Sequence, residues 1–106
     1  MSLRGNDLLS LREMSAEDME LVLSTARSLK EILSRPIKKV PTLRGKVVCN
    51  LFYEPSTRTR TSFELAARYM SADAVSFSSA TSAVKKGETL ADTARNLTMM
   101  GIDLAI

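Results

Sequence analysis

Between Ser56 and Ser62 the chain reads Ser-Thr-Arg-Thr-Arg-Thr-Ser, five hydroxyl residues and two arginines with nothing else between them. Hydroxyls are neutral hydrogen-bond donors, and an arginine presents a planar charged fork that matches two oxygens of a phosphate. These residue types suit a small phosphorylated ligand. Taken singly, Ser56 reads as an ordinary helix cap and the arginines as solvated or paired with Glu54 and Glu64. Seven such residues in a row make that reading poor. The glycines stand at 5, 45, 87 and 101, so neither G-x-G-x-x-G nor G-x-x-x-x-G-K-[ST] exists here and glycine-rich phosphate loops are excluded.

The elements around this run say how it is positioned. Lys46 to Phe52 (KVVCNLF) is a short apolar run rich in β-branched residues, the signature of a buried strand. Pro55 holds Glu54 extended and favours a change of direction. A helix follows, with Phe63, Ala66, Ala67 and Met70 on one face. Its start breaks local rules. Ser and Thr compete for backbone hydrogen bonds, and Arg58 and Arg60 sit at the positive end of the helix dipole. An anion resolves both conflicts, because the first helical turn points unpaired N–H groups outward and phosphate binds amides and dipole together.

The rest of the chain supplies the frame. Residues 1–14 show no clear period and read as a short docking segment. Ser15 and Asp18 form a helix start, followed by an apolar stripe of Met19, Val22, Leu23, Ala26, Leu29 and Leu33 that ends before Pro36. A Pro-containing loop runs to Gly45. Beyond the hydroxyl–arginine helix, Ala74 to Phe77 reads as a strand and Ser78 to Gly87 as a loop. Glu88 to Met100 reads as a helix burying Leu90, Ala94 and Leu97, stopped by Gly101, and Asp103 to Ile106 begins a third strand. Strand, helix, strand, helix, strand implies an α/β fold: a parallel sheet with flanking helices. Ligand sites in such sheets form outside the carboxyl ends of the strands, where the Ser56 turn falls. The third strand is four residues long at the last residue, so the expectation is the front portion of a longer enzyme.

Composition narrows the class. The 106 residues are 44% hydrophobic and 25% charged, ordinary for a globular domain, with no apolar run near the roughly 20 residues that span a bilayer. The net charge is +3, but the cations are dispersed and two tyrosines, three phenylalanines and no tryptophan give no base-stacking pattern, so nucleic acid is not an expected partner. Histidine is absent, which removes imidazole as acid, base or metal ligand. The single Cys49 fits a reducing, cytoplasmic setting.

The run Phe52-Tyr-Glu-Pro-Ser-Thr-Arg-Thr-Arg-Thr-Ser-Phe-Glu64 resembles the carbamoyl phosphate motif of the transcarbamylases, above all the aspartate carbamoyltransferases, and the resemblance extends over essentially the whole chain. It implies that residues 1–106 are the amino-terminal portion of a Rossmann-like carbamoyl phosphate-binding domain, without the amino-acid-binding domain. It implies transfer of a carbamoyl group from carbamoyl phosphate to the amino group of L-aspartate, a step of pyrimidine biosynthesis, with no metal or cofactor. By the same resemblance Ser56, Thr57, Arg58 and Thr59 hold the phosphate, with Thr59 also near the carbonyl oxygen. Glu54 would contact arginines of a second domain, and Arg60 would pair with a carboxylate behind the site.

From composition alone, Ser78 to Glu88 is an exposed polar loop with solvated lysines. Ser82-Ala-Val-Lys-Lys-Gly-Glu-Thr-Leu-Ala-Asp-Thr93, however, is similar to a loop that aspartate carbamoyltransferases extend into the neighbouring subunit's active site. Ser82 and Lys86 would be the donated residues, with Lys85 the other candidate, and a homotrimer the expected unit. Regulatory chains are a further partner the family admits. Ornithine carbamoyltransferases share the first motif but usually carry a glutamine-bearing loop, so ornithine is the alternative acceptor. A non-catalytic phosphate-binding or assembly module is the alternative of another class. An arginine and a histidine that the family brings to the carbonyl normally lie beyond residue 106, so this stretch is expected to bind carbamoyl phosphate without turnover.

Overall fold

In a computed structural model, residues 3, 5, 7–52, 56–77 and 90–106 are described. They fall into two compact units, residues 1–38 and 39–106.

The first unit holds a short 3-10 turn, Leu11–Glu13, and helix α1, Ala16–Lys30. Ser15 caps α1 as its sequence requires: its Oγ accepts from the Asp18 N–H at 3.1 Å. Glu17 and Asp18 lie at the positive end of the helix dipole, with Arg27 and Lys30 at the negative end. The expected helix to Pro36 is shorter, because the chain tightens into a 3-10 turn at Glu31–Ser34. The apolar stripe also behaves differently from expectation. No residue of α1 is buried, and Leu23 is 60% exposed; Ile32, outside the stripe, is the buried residue. Periodicity marks a face but does not say what covers it.

The second unit is a three-stranded parallel sheet with order β2-β1-β3 and helices α2 and α3. Strand β1 is Val47–Leu51, β2 Asp73–Phe77 and β3 Leu104–Ala105. Helix α2 is Thr57–Tyr69, and α3 is described from Leu90 to Met99. The expected alternation of strands and helices is present, with small differences of boundary: β2 starts one residue early and β3 is confined to two residues. Of the residues expected to line the helices, Ala67 and Leu97 are buried, whereas Phe63, Ala66 and Ala94 are exposed.

Strand β1 is the centre. It pairs in register with β2 from Val47↔Asp73 to Leu51↔Phe77 and with β3 at Val48↔Leu104 and Cys49↔Ala105. Its three middle residues, Val48, Cys49 and Asn50, are buried. Val48 packs with Ala67 of α2 and Ala72, joined by Leu43, Ala74 and Ile106. Because Ala67 is small, α2 lies close on β1 and β2. At the far end of α2, Ser71 takes a left-handed φ of 67° and its hydroxyl donates to the Val40 carbonyl at 2.8 Å, while the Val40 and Leu43 amides donate to Tyr69 and Met70. The carboxyl end of α2 is thereby tied down.

Cys49 is wholly buried, and desolvation pushes its thiol pKa up. We expect the native chain to react with a disulfide reagent only through opening of the fold, far more slowly than the denatured chain; prompt native-state labelling would contradict this packing. A raised folded pKa means that the thiol stabilises the fold fully below the ordinary thiol range. That contribution is lost as pH rises through the raised value, so alkaline destabilisation should be reduced in Cys49→Ala.

Candidate functional site

The direction of β1 and the start of α2 bring the Ser56–Ser62 run to the carboxyl edge of the sheet. β1 ends at Leu51, and helical geometry begins at Thr57. The first bond of α2 runs from the Arg60 N–H to the Ser56 carbonyl at 3.0 Å. The amides of Thr57, Arg58 and Thr59 precede it, as the donors at a helix start do. Thr57, Arg58 and Thr59 are exposed; Ser56 and Arg60 are half-buried.

Ser56 occupies the cap position of α2, yet its side chain makes no capping hydrogen bond. Ser15 does make one at α1. The first turn of α2 contains no acidic residue, again unlike α1. Of the two acids within reach in sequence, Glu54 lies outside the described residues and Glu64 is bonded to Arg68 at 3.1 Å one turn further on. Arg58 and Arg60 have no carboxylate partner among the described residues. The Ser56 side chain therefore does not act as a simple cap and Glu64 is not the partner of either arginine; Arg58 is exposed to solvent, Glu54 lies outside the described residues, and the expected carboxylate partner of Arg60 is not seen among the described residues. Ser62 is different: its hydroxyl donates to the Arg58 carbonyl at 2.9 Å, so it serves the helix itself. What remains at the helix start is one uncommitted cap hydroxyl, two threonines, two arginines and the leading amides, all suited to an anion.

Arg60, Phe63 and Ala67 follow three- and four-residue steps and share the helix face turned to β1. The Phe63 ring lies 6.4 Å from that of Phe52, tilted by 58°. This aromatic contact fastens the strand exit to α2 just behind the turn.

One residue here escaped the sequence reasoning. Asn50 is wholly buried within β1, and its buried Oδ1 has no hydrogen-bond partner among the described residues; its Nδ2 donates to Ser76 Oγ of β2 at 3.3 Å. Leaving such an acceptor unpaired costs about 1–3 kcal/mol. An amide inside the apolar run KVVCNLF was the available signal.

Glu54, Ser82, Lys85 and Lys86 lie outside the described residues, so the structure brings together Ser56, Thr57, Arg58, Thr59 and Arg60 from the sequence-derived set. Among the described residues no cluster of three or more His, Cys, Asp or Glu could hold a metal ion. No described helix is long and apolar enough to cross a membrane. A second basic region, a cleft of about 530 Å³ lined by Lys39, Arg44, Arg68 and Asp73, opens at the opposite edge of the sheet. There the cations face the carboxyl end of α2, where the helix dipole favours them without any ligand.

Residues 6–106 match the family described as aspartate/ornithine carbamoyltransferase, carbamoyl-P binding domain. The chain is 64% identical over its full length to the aspartate carbamoyltransferase catalytic subunit of Moorella thermoacetica and 55% identical to that of Geobacter sulfurreducens. It spans 34% of the length of each of these relatives. Among solved structures, the catalytic subunit of M. Jannaschii aspartate transcarbamoylase superposes with a TM-score of 0.78 at 36% identity, over 92% of this chain and 32% of the other. A putative aspartate carbamoyltransferase from Trypanosoma cruzi superposes with a TM-score of 0.81 at 30% identity, over 97% and 35%. A phosphate-suited turn at the carboxyl edge of a parallel sheet and a family match over nearly every residue lead to one assignment: the chain belongs to the aspartate/ornithine carbamoyltransferase family, in its carbamoyl-phosphate-binding domain.

Proposed function

We propose that residues 1–106 are the amino-terminal portion of the carbamoyl phosphate domain of an aspartate carbamoyltransferase, and that the turn at Ser56–Arg60 holds the phosphate of carbamoyl phosphate. The observation that carries this reading is the start of α2, at the end of the central strand: among the described residues Arg58 and Arg60 have no carboxylate partner, and the Ser56 side chain makes no capping bond. Aspartate rather than ornithine as acceptor is favoured by the names of the relatives and by Lys85-Lys86-Gly-Glu-Thr89.

In this reading the amino group of L-aspartate attacks the carbonyl carbon of carbamoyl phosphate. A C–N bond forms, the bond from carbon to the bridging oxygen breaks, phosphate leaves, and the amine loses a proton. The leaving phosphate already activates the carbonyl, so the protein's work is to orient two anionic substrates and stabilise charge as it develops on oxygen. Arg58 takes two phosphate oxygens through its fork, and Ser56, Thr57 and the leading amides of α2 take the others. Thr59 donates towards the carbonyl oxygen. Ser82 and Lys86, contributed by a neighbouring copy in a homotrimer, complete the charge around the leaving group. A cytoplasmic place in pyrimidine synthesis, with regulatory chains as further partners, belongs to the same reading.

Calorimetric titration of carbamoyl phosphate into the folded chain tests the site. Binding should be lost in Arg58→Ala, whereas equal affinity in the two proteins would remove Arg58 from the phosphate site. In the protein carrying its natural downstream sequence, Arg58→Ala should lower kcat/KM for carbamoyl phosphate by roughly a hundredfold to a thousandfold. Replacing aspartate by ornithine as acceptor in that assay separates the two acceptors directly.

The same geometry makes a second prediction, on stability. Arg58 is exposed and opposes the helix dipole, so Arg58→Glu should leave the melting temperature of the ligand-free chain unchanged or raise it while abolishing binding. A large loss of stability would mean that Arg58 supports the fold instead.

A further inference from the structure

Among the described residues, the polar residue that the sheet buries most completely is also the one with an unpaired buried side-chain atom. Asn50 follows Val48 on the face of β1 covered by α2, since residues two apart along a strand share a face. On one side of it lies the Val48–Ala67–Ala72 cluster, and on the other the Phe52–Phe63 contact. An apolar residue of similar size would suit this slot better, because the amide leaves Oδ1 without a partner. The chain keeps an amide there, and its one bond joins two strands. Asn50 stands one residue before the end of β1, Ser76 one residue before the end of β2, and the two are register partners. From those two strand ends the chain enters residues 52–60, with the phosphate turn, and the segment that carries Ser82 and Lys86.

We propose that Asn50 is a positioning residue for the phosphate turn, acting through its side-chain bond to Ser76 to hold the carboxyl ends of β1 and β2 in fixed relation. This rests on the reading of the Ser56–Arg60 turn as the phosphate site. The backbone ladder fixes the register of the two strands, and among the described residues Leu51↔Phe77 is its last pair. The Asn50–Ser76 bond adds a side-chain tie between the strands one residue before that pair, on the side facing α2. Its length of 3.3 Å makes it a weak bond on its own, so its effect is on alignment of the exits more than on overall stability.

Asn50→Leu, Ser76→Ala, the double variant and Arg58→Ala are compared with the parent chain in three readouts: melting temperature, carbamoyl phosphate affinity by calorimetry, and amide exchange by NMR. We expect Asn50→Leu to melt at or above the parent temperature yet bind carbamoyl phosphate roughly tenfold more weakly, the scale of one lost hydrogen bond. Ser76→Ala, a change at an exposed residue that does not threaten folding, should weaken binding similarly, and the double variant no further than either single one. Without ligand, the Arg60 amide, bonded to the Ser56 carbonyl, should exchange faster in both variants relative to the Met70 amide at the other end of α2. Parental affinity and an unchanged Arg60-to-Met70 exchange ratio in Ser76→Ala would overturn the positioning role, as would additive losses in the double variant. Parental affinity in Arg58→Ala would instead overturn the phosphate-site reading, and the exchange ratio would still decide whether Asn50 orders the turn.

Discussion

Strand β1 is hydrogen-bonded along both edges, to β2 on one side and β3 on the other, in parallel register. That constraint organises the second unit. Parallel pairing puts the carboxyl ends of the strands on one edge of the sheet, so every connection that leaves a strand starts there. The central position buries Val48, Cys49 and Asn50 and forces the side chains beside them to be small or well matched. Ala67 and Ala72 meet that demand, and α2 can therefore lie close against β1 with its first turn at the functional edge.

Helices α1 and α2 show how differently a helix start can be built. At α1, a serine caps an amide and two acids complement the dipole, all for the benefit of the helix. At α2 the cap serine is uncommitted, no acid is present and cations stand where acids would be favourable. The stability that α1 gains from its own residues is forgone at α2. What holds α2 in place lies further along: the Phe52–Phe63 contact, the burial of Ala67, the Arg68–Glu64 pair and the fastening of Tyr69 and Met70 to residues 40–43. A helix anchored at its carboxyl end and along its sheet-facing side can leave its amino end to a ligand.

The arginines of α2 make the same point. Arg68 sits in the last turn, where the dipole favours a cation, and has Glu64 four residues before it. Arg58 and Arg60 have the same chemistry but stand at the opposite end of the dipole, and among the described residues neither has a carboxylate partner. Residue type alone does not separate a structural arginine from a ligand-binding one; position along the helix and the whereabouts of the nearest carboxylate do.

The chain's own sequence determined the alternation of strands and helices, the capping of α1 by Ser15 and the concentration of hydroxyls and arginines at Ser56–Arg60. Each rests on short-range chemistry: β-branched runs, helical periodicity, and hydroxyls and arginines packed into one turn. Burial was legible only in part. The stripe from Met19 to Leu33 predicted a covered face, but Leu23 is largely exposed and Ile32 is buried instead, because burial depends on which element arrives opposite. The tertiary structure alone decided that Glu64 goes to Arg68 and leaves Arg60 without it, since both arginines lie four residues from that acid and only the fold orients them. It also decided that Asn50 meets Ser76 across 26 residues of sequence, because parallel pairing brings together strand ends that no local pattern connects.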